Sequence, residues 1–270
     1  MSDTDTKRAA PDELSRLMGI MERLRDGRPW DRKQDHRSLR PYLVEEAFEV
    51  LDALDEGSAA ALREELGDLL FQIVFHAQLA REQGDFDLGD VVRGVADKLE
   101  SRHPHVFGEV PPLDAEAALR SWAALKLEER RRKGVAHPSA LDGVPTMAPA
   151  LLRAERIGEK AARTGFDWPS RDGVRAKLDE ELRELDEAVA SGDRRHMEEE
   201  LGDLLFSVCN LARWLETPAE DALRGAIDRF SRRFRAVEST LASEGRSPSD
   251  CSPEELDRLW NEAKRRLARP

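Results

Sequence analysis

Aromatic residues make up only 6% of the 270 residues, with a single tyrosine. That scarcity argues against a β-sandwich or barrel, whose strands draw on aromatic and β-branched side chains. There are two cysteines, Cys209 and Cys251. They supply neither a disulfide framework nor a zinc pattern, and a reducing, cytoplasmic setting is expected. Cys209 falls in an apolar helical run and reads as core; Cys251 falls in a polar turn. No run of 18 apolar residues occurs, so no membrane-spanning helix is expected. The opening MSDTDTKRAAPDE lacks the apolar centre of a secretory leader. Basic surplus is missing too: 43 Lys and Arg stand against 55 Asp and Glu, a formal net charge of −12. A nucleic-acid-binding surface is therefore not expected. An anionic substrate is not excluded, because a bound divalent cation inverts the local sign of charge. What the chain does hold is 36% charged and 40% hydrophobic residues, a mixture suited to amphipathic helices with ion-paired outer faces.

The chain repeats itself. Residues 64–71 and 199–206 both read EELGDLLF, an offset of 199 − 64 = 135. The same offset carries Glu45, Glu46 and Glu49 onto Glu180, Glu181 and Glu184. With slightly different offsets, Pro29-Trp30-Asp31 resembles Asp167-Trp168-Pro169. Lys98 and Arg102 pair with Arg229 and Arg233, and Trp122 and Lys126 with Trp260 and Lys264. The expected architecture is all-α, a tandem duplication of one helical-bundle domain. Its parts are a tail over 1–11, a first repeat over 12–133, a Gly/Pro-rich linker over 134–146 and a second repeat over 147–270. Apolar residues recur at helical spacing, as in Leu178, Leu182, Leu185 and Val189. Helices are expected over 12–26, 36–55, 58–83, 87–101 and 115–132, then 147–163, 170–190, 193–215, 218–243 and 253–268. A loop is expected from His103 to Pro112.

The repeated acidic residues carry the chemistry. Glu181 and Glu184 are three apart and share one helix face, as do Glu200 and Asp203 on the next helix. A turn around Ser191-Gly192-Asp193 makes the two helices antiparallel neighbours, so the pairs converge. Most acidic runs are solvated faces. Here, however, the carboxylates flank the apolar stripe and the whole arrangement occurs twice. Gly202 also sits between Glu200 and Asp203, where a small residue permits close approach. Converging bare carboxylates repel unless a cation joins them. Oxygen-only ligands favour a hard ion, Mg²⁺ or Mn²⁺. Glu46, Glu49, Glu65 and Asp68 form the same set in the first repeat. A di-iron bundle would need Glu-x-x-His pairs, and none lies in register.

These segments identify the chain as similar to the MazG family of all-α nucleoside triphosphate pyrophosphohydrolases. The carrying strings are RPWDRKQDHRSLRPYLVEEAFEVLDAL, REELGDLLFQIVFHAQLA, DKLESRHPHVFGEV, RSWAALKLEER, SALDGVP, GFDWP, EEELGDLLFSVCNLAR and RFSRRFRAVE. The resemblance runs from about Leu14 to Lys264. It implies Mg²⁺-dependent cleavage of the α–β phosphoanhydride to a monophosphate and pyrophosphate, a homodimer, and a second repeat that carries the main activity. It places metal ligands at Glu181, Glu184, Glu200 and Asp203. Phosphate and nucleotide contacts fall at Lys126, Lys177, Arg229, Arg233, Trp260 and Lys264. The spacing agrees, since Arg229 and Arg233 share a helix face, as do Trp260 and Lys264. A family lysine before the second carboxylate pair is His196 here, and another is Arg229.

In the first repeat, Lys177 corresponds to Tyr42, so a weaker grip on triphosphate is expected there. Glu180 or Glu181 is expected to handle the attacking water, with Glu200 completing the catalytic set. The competing reading is a nucleotide-binding regulatory or dimerisation module without turnover.

Overall fold

A computed structural model describes residues 9–107 and 139–267. Among these residues every regular element is helical. The chain divides into two compact units. In the first, α1 spans Ala10–Gly27, α2 Pro29–Lys33, α3 Arg40–Glu56, α4 Ala59–Gln83, α5 Leu88–Arg102 and α6 Pro104–Phe107. In the second, α7 spans Ala150–Ala162, α8 Arg171–Ser191, α9 Arg194–Trp214, α10 Ala219–Ser243 and α11 Pro253–Leu267, with a 3₁₀ turn at Pro248–Asp250. The expected helix over 115–132, and residues 134–138 of the expected linker, lie outside the described residues. No described helix is long and apolar enough to cross a membrane.

The helix starts obey local chemistry. Ser58 Oγ accepts from the Ala61 N–H at 3.2 Å and opens α4. The Asp193 carboxylate accepts from the N–H groups of Arg195 and His196 at 3.0 and 3.3 Å and opens α9. Gly57 and Gly192, with φ of 70° and 73°, close α3 and α8 in the left-handed region. Each makes a tight reversal, so α3 lies against α4 and α8 against α9.

Several boundaries differ from expectation: the first helix begins at Ala10, inside the expected tail, and the helix expected from 147 begins at Ala150. The helix expected from residue 36 begins at Arg40 instead. Asp35 accepts from the N–H groups of Arg37 and Ser38 at 2.9 and 2.7 Å, and this holds residues 35–38 as a turn. Residues 29–33, with Pro29 at the first position, form a helix too short to show periodicity. Within the expected loop after His103, Pro104–Phe107 makes one helical turn.

In the first unit, Met21, Leu39, Val74, Phe75, Ala77, Leu79 and Leu88 form the core where α1 meets the second half of α4. In the second, Ala236, Val237, Leu241, Leu259 and Ala263 join α10 to α11. Helix α7 crosses α9 at Gly158, where a Cβ would stand 2.7 Å from Asn210 Oδ1. Only glycine allows that approach. The loop between α7 and α8 is tied to α9 by Asp167. Its carboxylate accepts from Arg213 at 2.6 and 2.9 Å and from the Trp214 indole at 3.3 Å. Arg213 is the main reason that the Asp167 carboxyl lies below the ordinary aspartate range.

That clamp gives a pH-dependent prediction. A carboxyl lowered on folding stabilises the fold fully above its unfolded value of about 3.9, and the contribution vanishes as pH falls through the lower folded value. Asp167→Asn is expected to cost about 1–3 kcal/mol at pH 7. The gap from wild type should shrink below about pH 4, as read by thermal denaturation across pH.

Candidate metal centre

In the second unit, α8 presents Glu181 and Glu184 one turn apart, and α9 presents Glu200. The Gly192 reversal brings the three carboxylates together, with one oxygen of each lying within 4.8 Å of the others. Glu181 is buried; Glu184 and Glu200 are half-buried. Lys177, one turn before Glu181, places Nζ 2.8 Å from Glu181 Oε1 and 3.2 Å from Glu180 Oε1. These bonds, that to Glu181 first, raise the Lys177 ammonium above the ordinary lysine range. Glu184 lies 3.5 Å from Arg183, and Glu200 lies 3.1 Å from His196 Nε2. Each member of the triad therefore has a basic neighbour.

The first unit repeats the triad without those neighbours. Glu46, Glu49 and Glu65 also lie within 4.8 Å of one another. Subtracting 135 carries Lys177, Arg183 and His196 onto Tyr42, Phe48 and Ala61. Among the described residues no cation partners these carboxylates. Glu46 takes only a long bond, 3.4 Å, from the Gln72 amide. Burial, and then the charges of Asp68 and Glu49, push the Glu46 carboxyl up. Glu65 is raised by burial and by Glu49 and Asp68. Tyr42 turns its ring edge-on to Trp30, centroids 5.9 Å apart.

The fourth expected ligands, Asp68 and Asp203, stand outside the two triads. They lie one turn further along their helices, although Asp68 is close enough to act on Glu46 and Glu65. Among the described residues none makes the close approach expected over Gly202, where a Cβ would meet nothing within 4 Å, and the same holds at Gly67.

The expected nucleotide contacts form a second constellation, on α10 and α11. The Trp260 ring lies against Phe230, with centroids 5.1 Å apart, and under the Arg233 guanidinium at 5.9 Å. Phe230, Phe234, Val237, Pro248, Leu256, Asp257 and Trp260 line a cavity of about 330 Å³. No residue of the triad lines it. Arg229 folds back over Gly225, its guanidinium 3.1 Å from where a Cβ would stand. Lys264 is exposed on α11. Lys126 and Trp122 lie outside the described residues. Sequence reasoning passed over Gln72, Arg183 and Phe230, although the 135-residue offset marks Gln72 as a difference, since it falls on Ser207.

Three carboxylates within 4.8 Å, all offering oxygen, fit a hard divalent cation. A family model described as the MazG nucleotide pyrophosphohydrolase domain matches residues 34–107 and 170–237. The chain is 45% identical over 260 residues to a nucleoside triphosphate pyrophosphohydrolase of Escherichia coli (strain K12), covering 94% of this chain and 97% of that protein. It is 45% identical over 250 residues to the nucleoside triphosphate pyrophosphohydrolase/pyrophosphatase MazG of Thermotoga maritima, covering 92% and 94%. A crystal structure of a mazG-related protein from Thermotoga maritima matches 42% of this chain and 98% of that chain, at 31% identity and a TM-score of 0.38. With both acidic hairpins inside the matched segments, the chain belongs to the MazG nucleotide pyrophosphohydrolase family and carries its domain twice.

Proposed function

We propose that this protein hydrolyses nucleoside triphosphates, ribo- or deoxyribo-, to monophosphate and pyrophosphate, with the second repeat as the main site and Mg²⁺ or Mn²⁺ as cofactor. The observation that carries this reading is the Glu181–Glu184–Glu200 triad with the Lys177 ammonium seated on it, in a chain whose relatives are named for that reaction. Glu181, Glu184 and Glu200 hold the cation, with Asp203 a turn away. The ion, when bound, supplies Lewis acidity toward phosphate oxygens.

The chain's own groups do the rest. Lys177 keeps a cationic donor beside the triad, where the triphosphate's negative charge must lie. Arg229, Arg233, Lys264 and Lys126 are assigned to offset charge growing on the departing pyrophosphate. Trp260 offers the base a stacking face in the aromatic cavity. Glu180 takes the proton of the attacking water. It stands outside the triad, yet it reaches the same ammonium as Glu181, and that contact supports the role. The water oxygen bonds to the α-phosphorus as the bond to the bridging oxygen breaks.

The assembled form is proposed to be a homodimer. Leu66, Leu70 and Ile73 on α4, and Leu201, Leu205 and Val208 on α9, are at least 40% exposed at helical spacing. Gly67 and Gly202 lie among them, and no described residue stands within 4 Å of where their Cβ atoms would be. Such faces are covered by a partner in solution.

Three outcomes are expected. Incubation with ATP or dTTP and Mg²⁺ yields monophosphate and pyrophosphate, and Glu200→Gln lowers kcat on the order of 100-fold; orthophosphate with diphosphate would refute the assignment. Lys177→Ala costs about 10²–10³ in kcat/KM, measured by pyrophosphate release. Leu205→Glu shifts the protein from dimer toward monomer in sedimentation velocity.

A further inference from the structure

Two histidines of the first repeat are bonded to each other. His36 lies in the turn between α2 and α3; His76 lies on α4 between the buried Phe75 and Ala77. Their Nδ1 atoms are 2.8 Å apart. The ring centroids are 5.1 Å apart and the planes 8° from parallel. That centroid spacing is the N···N distance lengthened by both ring radii. The rings therefore lie edge to edge in one plane, joined by an Nδ1–H···Nδ1 hydrogen bond. The Nε2 atom of His76 is buried with no partner among the described residues. A buried nitrogen with nothing to donate to is better left bare, so His76 donates from Nδ1 and His36 accepts. Both remaining sites for a further proton are then obstructed. At His36 Nδ1 it would set two N–H groups against each other; at His76 Nε2 it would be buried without an acceptor.

We propose that His36 and His76 form an acid-released latch confined to the first repeat: neutral, it pins the connector over residues 34–39 to α4; protonated, it lets the connector go. The offset of 135 carries the pair onto Arg171 and Leu211, which cannot make this bond. The connector seats Leu39, 1% exposed, in the core and leads into α3. The latch thus sets how firmly that end of α3 is held. Charged groups on the elements that meet here are engaged with one another. Arg25 on α1 binds Glu82 on α4 and the carbonyls of Asp31 and Gln34. Asp31 on α2 pairs with Arg28, and Arg81 on α4 pairs with Glu22. Glu46 on α3 takes the Gln72 amide, and Asp35 and Arg37 on the connector offset each other. Burial, and then His36, hold the His76 imidazole below the ordinary histidine range. For a base lowered on folding, the stabilisation is whole above the unfolded value of about 6.5 and is lost as pH falls below it toward the folded value.

The test is hydrogen–deuterium exchange on the full chain, read by mass spectrometry and corrected for intrinsic exchange. Between about pH 8 and about pH 5.5, protection of residues 34–39 should fall about tenfold, while residues 169–174 hold theirs. Asp35, whose carboxyl is lowered by the Ser38 N–H, stays ionised throughout and is not the source of the change. His76→Leu copies Leu211 and keeps the position filled; its connector should exchange fast at both ends of the range, with helical circular dichroism unchanged. Imidazole ¹⁵N spectra of the wild type give a second reading that needs no variant. His76 is expected to carry its proton on Nδ1 at the upper pH, and both rings to take up protons together below about pH 6.5. Protection that is flat with pH, a fall that persists in His76→Leu, or two rings that titrate independently at the ordinary histidine value overturns the latch.

Discussion

Mutual repulsion among three carboxylates is the constraint around which each repeat is arranged. Two unit charges 4 Å apart interact by about 4 kcal/mol at the effective dielectric of a protein surface. A fold that brings three together must compensate inside the chain or from outside. The hairpin geometry forces the encounter, since Gly57 and Gly192 reverse the chain so tightly that facing turns of adjacent helices cannot avoid each other. The second repeat compensates from within, with Lys177 across Glu180 and Glu181 and Arg183 beside Glu184. Among the described residues the first repeat sets no cation on its triad, and burial, then the charges of Asp68 and Glu49, push the Glu46 and Glu65 carboxyls up. The same three-glutamate frame thus has two electrostatic states, set by side chains that surround it.

Much of this was legible in the sequence, for reasons specific to helices. A carboxylate pair three residues apart defines a face without any tertiary information, and an eight-residue identity fixes the register between copies. That was enough to place Glu181, Glu184 and Glu200 together, and Glu46, Glu49 and Glu65 together. It could not separate Asp203 from the triad. One turn of helix adds about 5 Å along the axis, and whether a side chain spans that depends on the crossing of α8 and α9. Lys177 was visible as a basic residue one turn upstream, and spacings of three and four put both Glu180 and Glu181 beside it on the helix surface. Residues 29–33 escaped notice since five residues carry no period. The first residues of the expected second helix instead follow the hydrogen-bonding of Asp35, a purely local preference that outweighs propensity.

Periodicity is also blind to what an apolar stripe faces. Leu182, Leu201, Leu205 and Val208 recur at helical spacing, as do Leu66, Leu70 and Ile73, yet all are exposed in the single chain. The buried core lies elsewhere, at Met21, Leu39 and Phe75 in the first unit and at Val237, Leu241 and Leu259 in the second. A helix contributes the same spacing whether its apolar face meets its own chain or another. The distinction rests on how many helices a repeat of this length can supply to cover its own faces.

The tight reversal at the glycines has a kinetic consequence. Glu49 and Glu65 are 16 residues apart, as are Glu184 and Glu200, so each acidic cluster is closed by contacts local in sequence. Local contacts form early and need little loop entropy. The hairpin that concentrates negative charge can therefore assemble before α1 in the first unit, or α10 and α11 in the second, has docked. Divalent ions present in the medium would meet a formed cluster on a chain still collapsing, and would act on the rate of hairpin closure as well as on the finished fold.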